Sequence, residues 1–104
     1  MQFQWLRYTE QIYGKAGEEV ARFLFKREER RIWFLDGTEE YGKVVWQGMQ
    51  KIFSKKGCCL EEEQYLEIPK DRDLRRMFYK IRLAGLALSA DMLVFASAVQ
   101  GAEA

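Results

Sequence analysis

The stretch that decides the fold is DRDLRRMFYKIRLAGLALSADMLVFASAV, residues 71–99. Within it Leu74, Phe78, Ile81, Gly85, Leu88, Met92, Phe95 and Val99 follow one another at alternating steps of four and three. A 3.5-residue period lines these side chains up on a helix and on no other regular element. The spacing predicts one continuous helix over 71–99, begun by Asp71 or Asp73 and ended by Gly101. Burying its large side chains, at about 1.5–3 kcal/mol each, would make it the anchor of the fold.

The two halves of that helix differ in character. Up to Arg82 the outward positions are basic: Arg72, Arg75, Arg76, Lys80 and Arg82. Beyond them Leu83, Leu86, Ala87, Ala90, Leu93 and Val94 cover the side opposite the first stripe, so this half is apolar all round. Such a helix must be enclosed, and a chain of 104 residues has few elements with which to do it. Leu83, Leu86, Ala90, Leu93 and Val94 are therefore the candidate interface residues, for a second copy or for another protein. Ala84, Gly85, Ser89 and Ala96 are small enough to let a neighbour come close.

Upstream, Thr38–Lys56 carries the marks of a complete helix. Thr38 can cap it, Glu39 and Glu40 fill its first turn, Lys51, Lys55 and Lys56 its last, and Gly57 stands at the C′ position. Tyr41, Val45, Gly48 and Ile52 form one apolar stripe and Trp46, Met49 and Phe53 a second, which predicts neighbours on two sides. Tyr65–Ile68 reads as a short strand stopped by Pro69. Ile32–Leu35 reads as another strand, so a βαβ crossover is open to the chain. Trp5, Tyr8, Ile12 and Ala16 suit a helix near 4–14, with a short strand around Phe3 and Trp5 as the competing reading. Residues 18–29 suit a helix aligned with its dipole, or half of a hairpin turning at Arg27-Glu28-Glu29. The sum is a single α-rich α+β domain over 1–104: about four helices, a small two- to three-stranded sheet and a long C-terminal helix.

Chemistry is easier to exclude than to assign. The chain has no histidine, which removes the commonest general base and every histidine-activated nucleophile. Cys58 and Cys59 are adjacent and too few for a structural metal site. They read as reduced thiols in a loop, one of them packed inward. Asp36-Gly37-Thr38 resembles the end of the Asp-x-Asp-Gly-Thr motif of haloacid-dehalogenase-type phosphatases, but Phe34 stands where that motif needs its nucleophile. A metal-dependent nuclease would need an aspartate and a Glu-x-Lys pair on neighbouring strands. Glu67 and Lys70 are spaced one residue too far apart with Pro69 between them, and a long helix separates Asp36 from Glu67. No cofactor is expected and no catalytic or metal-binding residue is assigned.

Seventeen basic against sixteen acidic residues give a net charge of +1, so no global field draws the protein onto nucleic acid. Two local clusters remain, Arg22, Lys26, Arg27, Arg30 and Arg31 in one and the basic face of the last helix in the other. Brought together, Arg27, Arg30, Arg31, Arg72, Arg75, Arg76, Lys80 and Arg82 could follow a phosphate backbone, with Trp33 or Tyr79 free to stack on bases. The interleaved Glu28, Glu29, Asp71 and Asp73 favour ordinary surface ion pairs instead. The amino terminus lacks a signal-peptide pattern, and Leu83–Val99 is too short and carries Asp91, so a cytoplasmic protein without a membrane partner is expected. The functional expectation is a non-catalytic interaction protein: an adaptor, accessory subunit or inhibitor, with homodimerisation through its last helix as one form. A small nucleic-acid-binding accessory protein is the alternative.

Overall fold

The computed structural model describes residues 2–38 and 40–97. Three helices alternate with three strands: α1 (Gln2–Lys26), β1 (Ile32–Gly37), α2 (Gly42–Lys55), β2 (Tyr65–Glu67), α3 (72–89) and β3 (Met92–Ser97). The strands are all parallel in the order β2-β1-β3. Helix and strand are thus interleaved rather than segregated, with three helices instead of about four.

The two expected helices near 4–14 and 18–29 are one, α1, and no hairpin forms. Gly14 and Gly17, glycines at the junction of the two expected helices, mark no break and are contact points. A Cβ at Gly17 would lie 2.0 Å from the Val45 carbonyl oxygen, and one at Gly48 would lie 2.3 Å from that of Gly14. Glycine here lets α1 and α2 approach backbone to backbone. α2 does meet neighbours on two sides, with Val45 and Gly48 toward α1 and Trp46, Met49 and Phe53 in the core over the sheet. Its end is a Schellman turn: Gly57 has φ +81°, and the Cys58 N–H donates to the Phe53 carbonyl at 2.9 Å. Glu28 holds the same place after α1 at φ +65°, without glycine's freedom, while the Glu29 N–H donates to Leu24 at 3.0 Å.

The largest correction concerns 71–99. Asp71 caps the helix, its Oδ1 accepting the Asp73 and Leu74 N–H groups at 2.9 and 3.1 Å. The helix ends at Ser89, however, and Met92–Ser97 is the third strand, paired with β1 along its length. Asp91 makes the break. Its Oδ2 accepts the N–H groups of Arg30 and Arg31, each at 3.0 Å, and its Oδ1 accepts from the Arg31 guanidinium at 3.1 Å. These bonds, the Arg31 backbone N–H foremost, lower the Asp91 pKa to about 2. The start of β3 is thereby pinned beside the start of β1. Val99 and Gly101 lie outside the described residues.

One face of the sheet holds the core. Ile32 and Phe34 of β1 pack with Ala21 and Leu24 of α1 and with Trp46, Met49, Ile52 and Phe53 of α2, and Met92, Val94 and Ala96 of β3 join them. Trp33 points to the other face, where it shares a hollow with Ile81, Gly85 and Leu86 of α3. Leu35 is fully buried on that face, and Trp33 only in part.

Candidate functional site

Two places on the fold are open to a functional role: the carboxyl ends of the strands and the outer face of α3. In parallel α/β sheets ligands collect outside the carboxyl ends, where neighbouring crossovers diverge. Here that position carries Asp36, which is 6% exposed, and every approach to it is taken. The Thr38 N–H and hydroxyl donate to its Oδ1 at 2.8 and 2.7 Å, and the Tyr65 hydroxyl donates to its Oδ2. The Gly42 N–H donates in turn to Thr38 Oγ1 at 2.6 Å, but Thr38 does not cap α2: the helix begins four residues later than expected, at Gly42, with Tyr41 at its N-cap and no side-chain cap. A Cβ at Gly42 would fall 2.0 Å from Asp36 Oδ1, so the first residue of α2 closes over the carboxylate. Burial, then the bond to Asp36, holds the Tyr65 phenol protonated far above its usual range. The group ties β1, β2 and α2 together and engages both oxygens of the Asp36 carboxylate.

Asp36 and Glu67 are register partners on adjacent strands. Their separation by α2 in the sequence therefore does not separate them in space, because the crossover returns the chain alongside. Even so, no group of three or more metal-ligating side chains occurs among the described residues. Phe34 is wholly buried. Cys58 packs partly against the core, and Cys59 is exposed.

The outer face of α3 is a different kind of surface. Met77, Ile81, Ala84 and Leu88 succeed one another at steps of four, three and four, and all four are exposed. The large ones are 56%, 70% and 91% exposed, with Leu74 at their edge 55% exposed. Sequence spacing placed Leu74, Ile81 and Leu88 inside. The phase slips because 78–82 is a wider π turn, in which the Leu83 N–H donates to the Phe78 carbonyl five residues back. The sheet-facing side accordingly runs through Phe78, Leu83, Leu86 and Ala90, with steps of five, three and four.

The five candidate interface residues do not form one helical face. Leu86 is buried, and Leu83 and Ala90 are half-buried toward the sheet. Leu93 and Val94 belong to β3 and point to opposite faces, Val94 into the main core. The exposed row shares Ile81 and Leu88 with the stripe whose spacing predicts burial, and takes Met77 and Ala84 in place of Phe78 and Gly85.

The basic clusters meet different fates. Arg22 pairs with Glu18 at 3.3 Å, Arg27 with Glu29 at 3.5 Å and Arg31 with Asp91 at 3.1 Å. The Arg30 guanidinium lies 3.6 Å over the Phe25 ring and donates to the Phe25 carbonyl. Arg75 donates to the Pro69 carbonyl at 3.0 Å. Arg72, Arg76, Lys80 and Arg82 are exposed and have no ion pair among the described residues.

Beneath α3 lies a hollow of about 450 Å³ lined by Trp33, Glu63, Ile81, Arg82, Gly85 and Leu86. It shares Trp33 and Glu63 with a second one of about 390 Å³, which reaches Arg31 and Cys59. The charges there are mixed, Arg30, Arg31 and Arg82 with Glu63. Among the described residues no helix is long and apolar enough to cross a membrane. The fold and this surface define a small parallel α/β chain with a covered core on one face of its sheet and an uncovered helix on the other. Comparison with protein-family models, with curated proteins and with solved structures gives no match.

Proposed function

We propose that this chain is a non-catalytic interaction protein, an adaptor, accessory subunit or inhibitor, whose docking surface is the outer face of α3. The supporting observation is the exposed row of Met77, Ile81 and Leu88 at helical spacing. Single exposed apolar residues are ordinary, and α1 has them in Ile12 and Phe23. A continuous apolar row along a helix is a feature that partner helices cover. The interface thus involves different residues from those of the apolar half-helix, on the same segment of chain. Pairing with a second copy is one form this docking could take.

A photo-crosslinking amino acid at Ile81 tests the reading in the native cell, with the same group at exposed Phe23 as control. The expected result is a discrete, saturable protein adduct from position 81 that disappears with Leu88→Asp and never forms from position 23. Identical adducts from both positions, or adducts to nucleic acid alone, contradict it.

The nucleic-acid reading rests on Arg72, Arg76, Lys80 and Arg82, which stand free of ion pairs among the described residues. It is weakened because Arg27, Arg30 and Arg31 are already engaged within the chain.

A further inference from the structure

We infer that the outer face of α3 receives an amphipathic helix of another protein whose flank is rich in carboxylates; this rests on the docking role proposed above. The apolar row supplies the helical geometry. Met77, Ile81, Ala84 and Leu88 follow one another at the steps of four and three that helix-pairing seams use. In the middle of that row the helix is thin. Ala84 has only a methyl group, and a Cβ built at neighbouring Gly85 would meet nothing within 4 Å, so a partner backbone has room to approach.

Charge chooses the partner. Arg76 and Lys80 each precede a residue of the row by one position and so run along its side, with Arg72 one turn earlier. Elsewhere the chain provides anions for its exposed cations. Glu18 alone takes both Arg22 and Lys51, at 3.3 and 3.5 Å. For Arg72, Arg76, Lys80 and Arg82 no ion pair occurs among the described residues, and the sequence between Asp73 and Asp91 contains no carboxylate. The missing anions are those a partner would bring.

The α3 of a second copy does not bring them. Laid parallel, two α3 helices set Arg76 and Lys80 against the same cations. Laid antiparallel, they set them against the uncharged half, Leu83–Ala90. Nucleic acid would satisfy the cations but leave Ile81 and Leu88 in water. Only a helix with an apolar stripe and an acidic flank meets both halves of the surface.

Two synthetic 21-residue peptides test this, sharing a leucine stripe at alternating three- and four-residue steps and differing only in glutamate or lysine at the flanking positions. Fluorescence anisotropy with the full chain reads their affinities. The glutamate peptide is expected to bind at least tenfold tighter than its lysine twin, with the advantage shrinking at 0.5 M salt as screening sets in. Arg76→Glu with Lys80→Glu should invert the preference, and Leu88→Asp should abolish binding of both peptides. These side chains are exposed, so the variants should keep the circular-dichroism spectrum and thermal midpoint of the parent. Equal binding of the twins, lost in Leu88→Asp, overturns the acidic partner while leaving α3 a docking face. Binding of neither peptide overturns the acidic partner, and the crosslinking experiment at position 81 then judges the docking face separately. Tighter binding of a single-stranded oligonucleotide that displaces the glutamate peptide overturns it in favour of nucleic acid.

Discussion

On the α1/α2 side of the sheet Phe34, Trp46, Met49 and Phe53 are wholly buried, while on the α3 side Trp33 is half-covered, Phe95 is half in water and Leu88 almost entirely so. The first side is joined backbone to backbone through Gly14, Gly17 and Gly48, and the second leaves a hollow of about 450 Å³ under its helix. The same 104 residues thus build one face as core and the other as surface. A chain that can pack Trp46 and Phe53 without exposed area has the means to cover Ile81, yet it does not. The difference teaches that the described chain buries one face of its sheet and leaves an apolar row of α3 open on the other.

Truncation should separate the faces most sharply. Phe34→Ala removes a wholly buried ring and is expected to cost about 3–5 kcal/mol in urea unfolding. Ile81→Ala should change stability by no more than about 0.5 kcal/mol. Similar losses at both positions would break the comparison.

Added methyl groups sharpen it. Gly48→Ala forces a Cβ into the Gly14 carbonyl and should destabilise by about 1–3 kcal/mol or more. Gly85→Ala meets open space on a helix and should stabilise by up to about 1 kcal/mol. The same substitution thus changes sign between the faces.

Much of the chain was legible where the deciding chemistry is local. The Asp71 cap, the Gly57 terminus and the two-sided α2 depend on residues a few places apart, and periodicity and capping rules see them, whereas the start of α2 at Gly42 follows from the Asp36–Thr38 contacts that hold its first turn off. The strand at 92–97 was not legible, because Met92-Leu93-Val94-Phe95-Ala96 is apolar throughout and satisfies a helical stripe as well as an alternating one. Asp91 settled the matter through the N–H groups of Arg30 and Arg31, which lie far away in sequence. A π turn is likewise invisible to a count of threes and fours, and it moved Ile81 and Leu88 from inside to outside. The glycines of α1 read as breaks because glycine marks both turns and close contacts. Asp36 and Glu67 looked distant because their pairing follows from the crossover rather than from spacing.

Two smaller effects probe the joints between these regions. Glu28 occupies a left-handed position at the end of α1, so Glu28→Gly should raise stability by about 1 kcal/mol. Asp91 has its pKa lowered to about 2 by the N–H groups of Arg31 and Arg30. With an unfolded value near 3.9, its contribution is complete above about pH 4 and is lost as the pH falls through about 2. Unfolding midpoints measured across that window should fall more steeply for the parent chain than for Asp91→Asn.

The most direct measurement is thiol labelling at the two faces, in a background carrying Cys58→Ser and Cys59→Ser. With Leu88→Cys the purified chain should react at close to the rate of a free thiol, and with Met49→Cys only when it unfolds. Protection of position 88 to the level of position 49 would show that the chain covers this helix by itself, and would contradict an outer face held open for a partner.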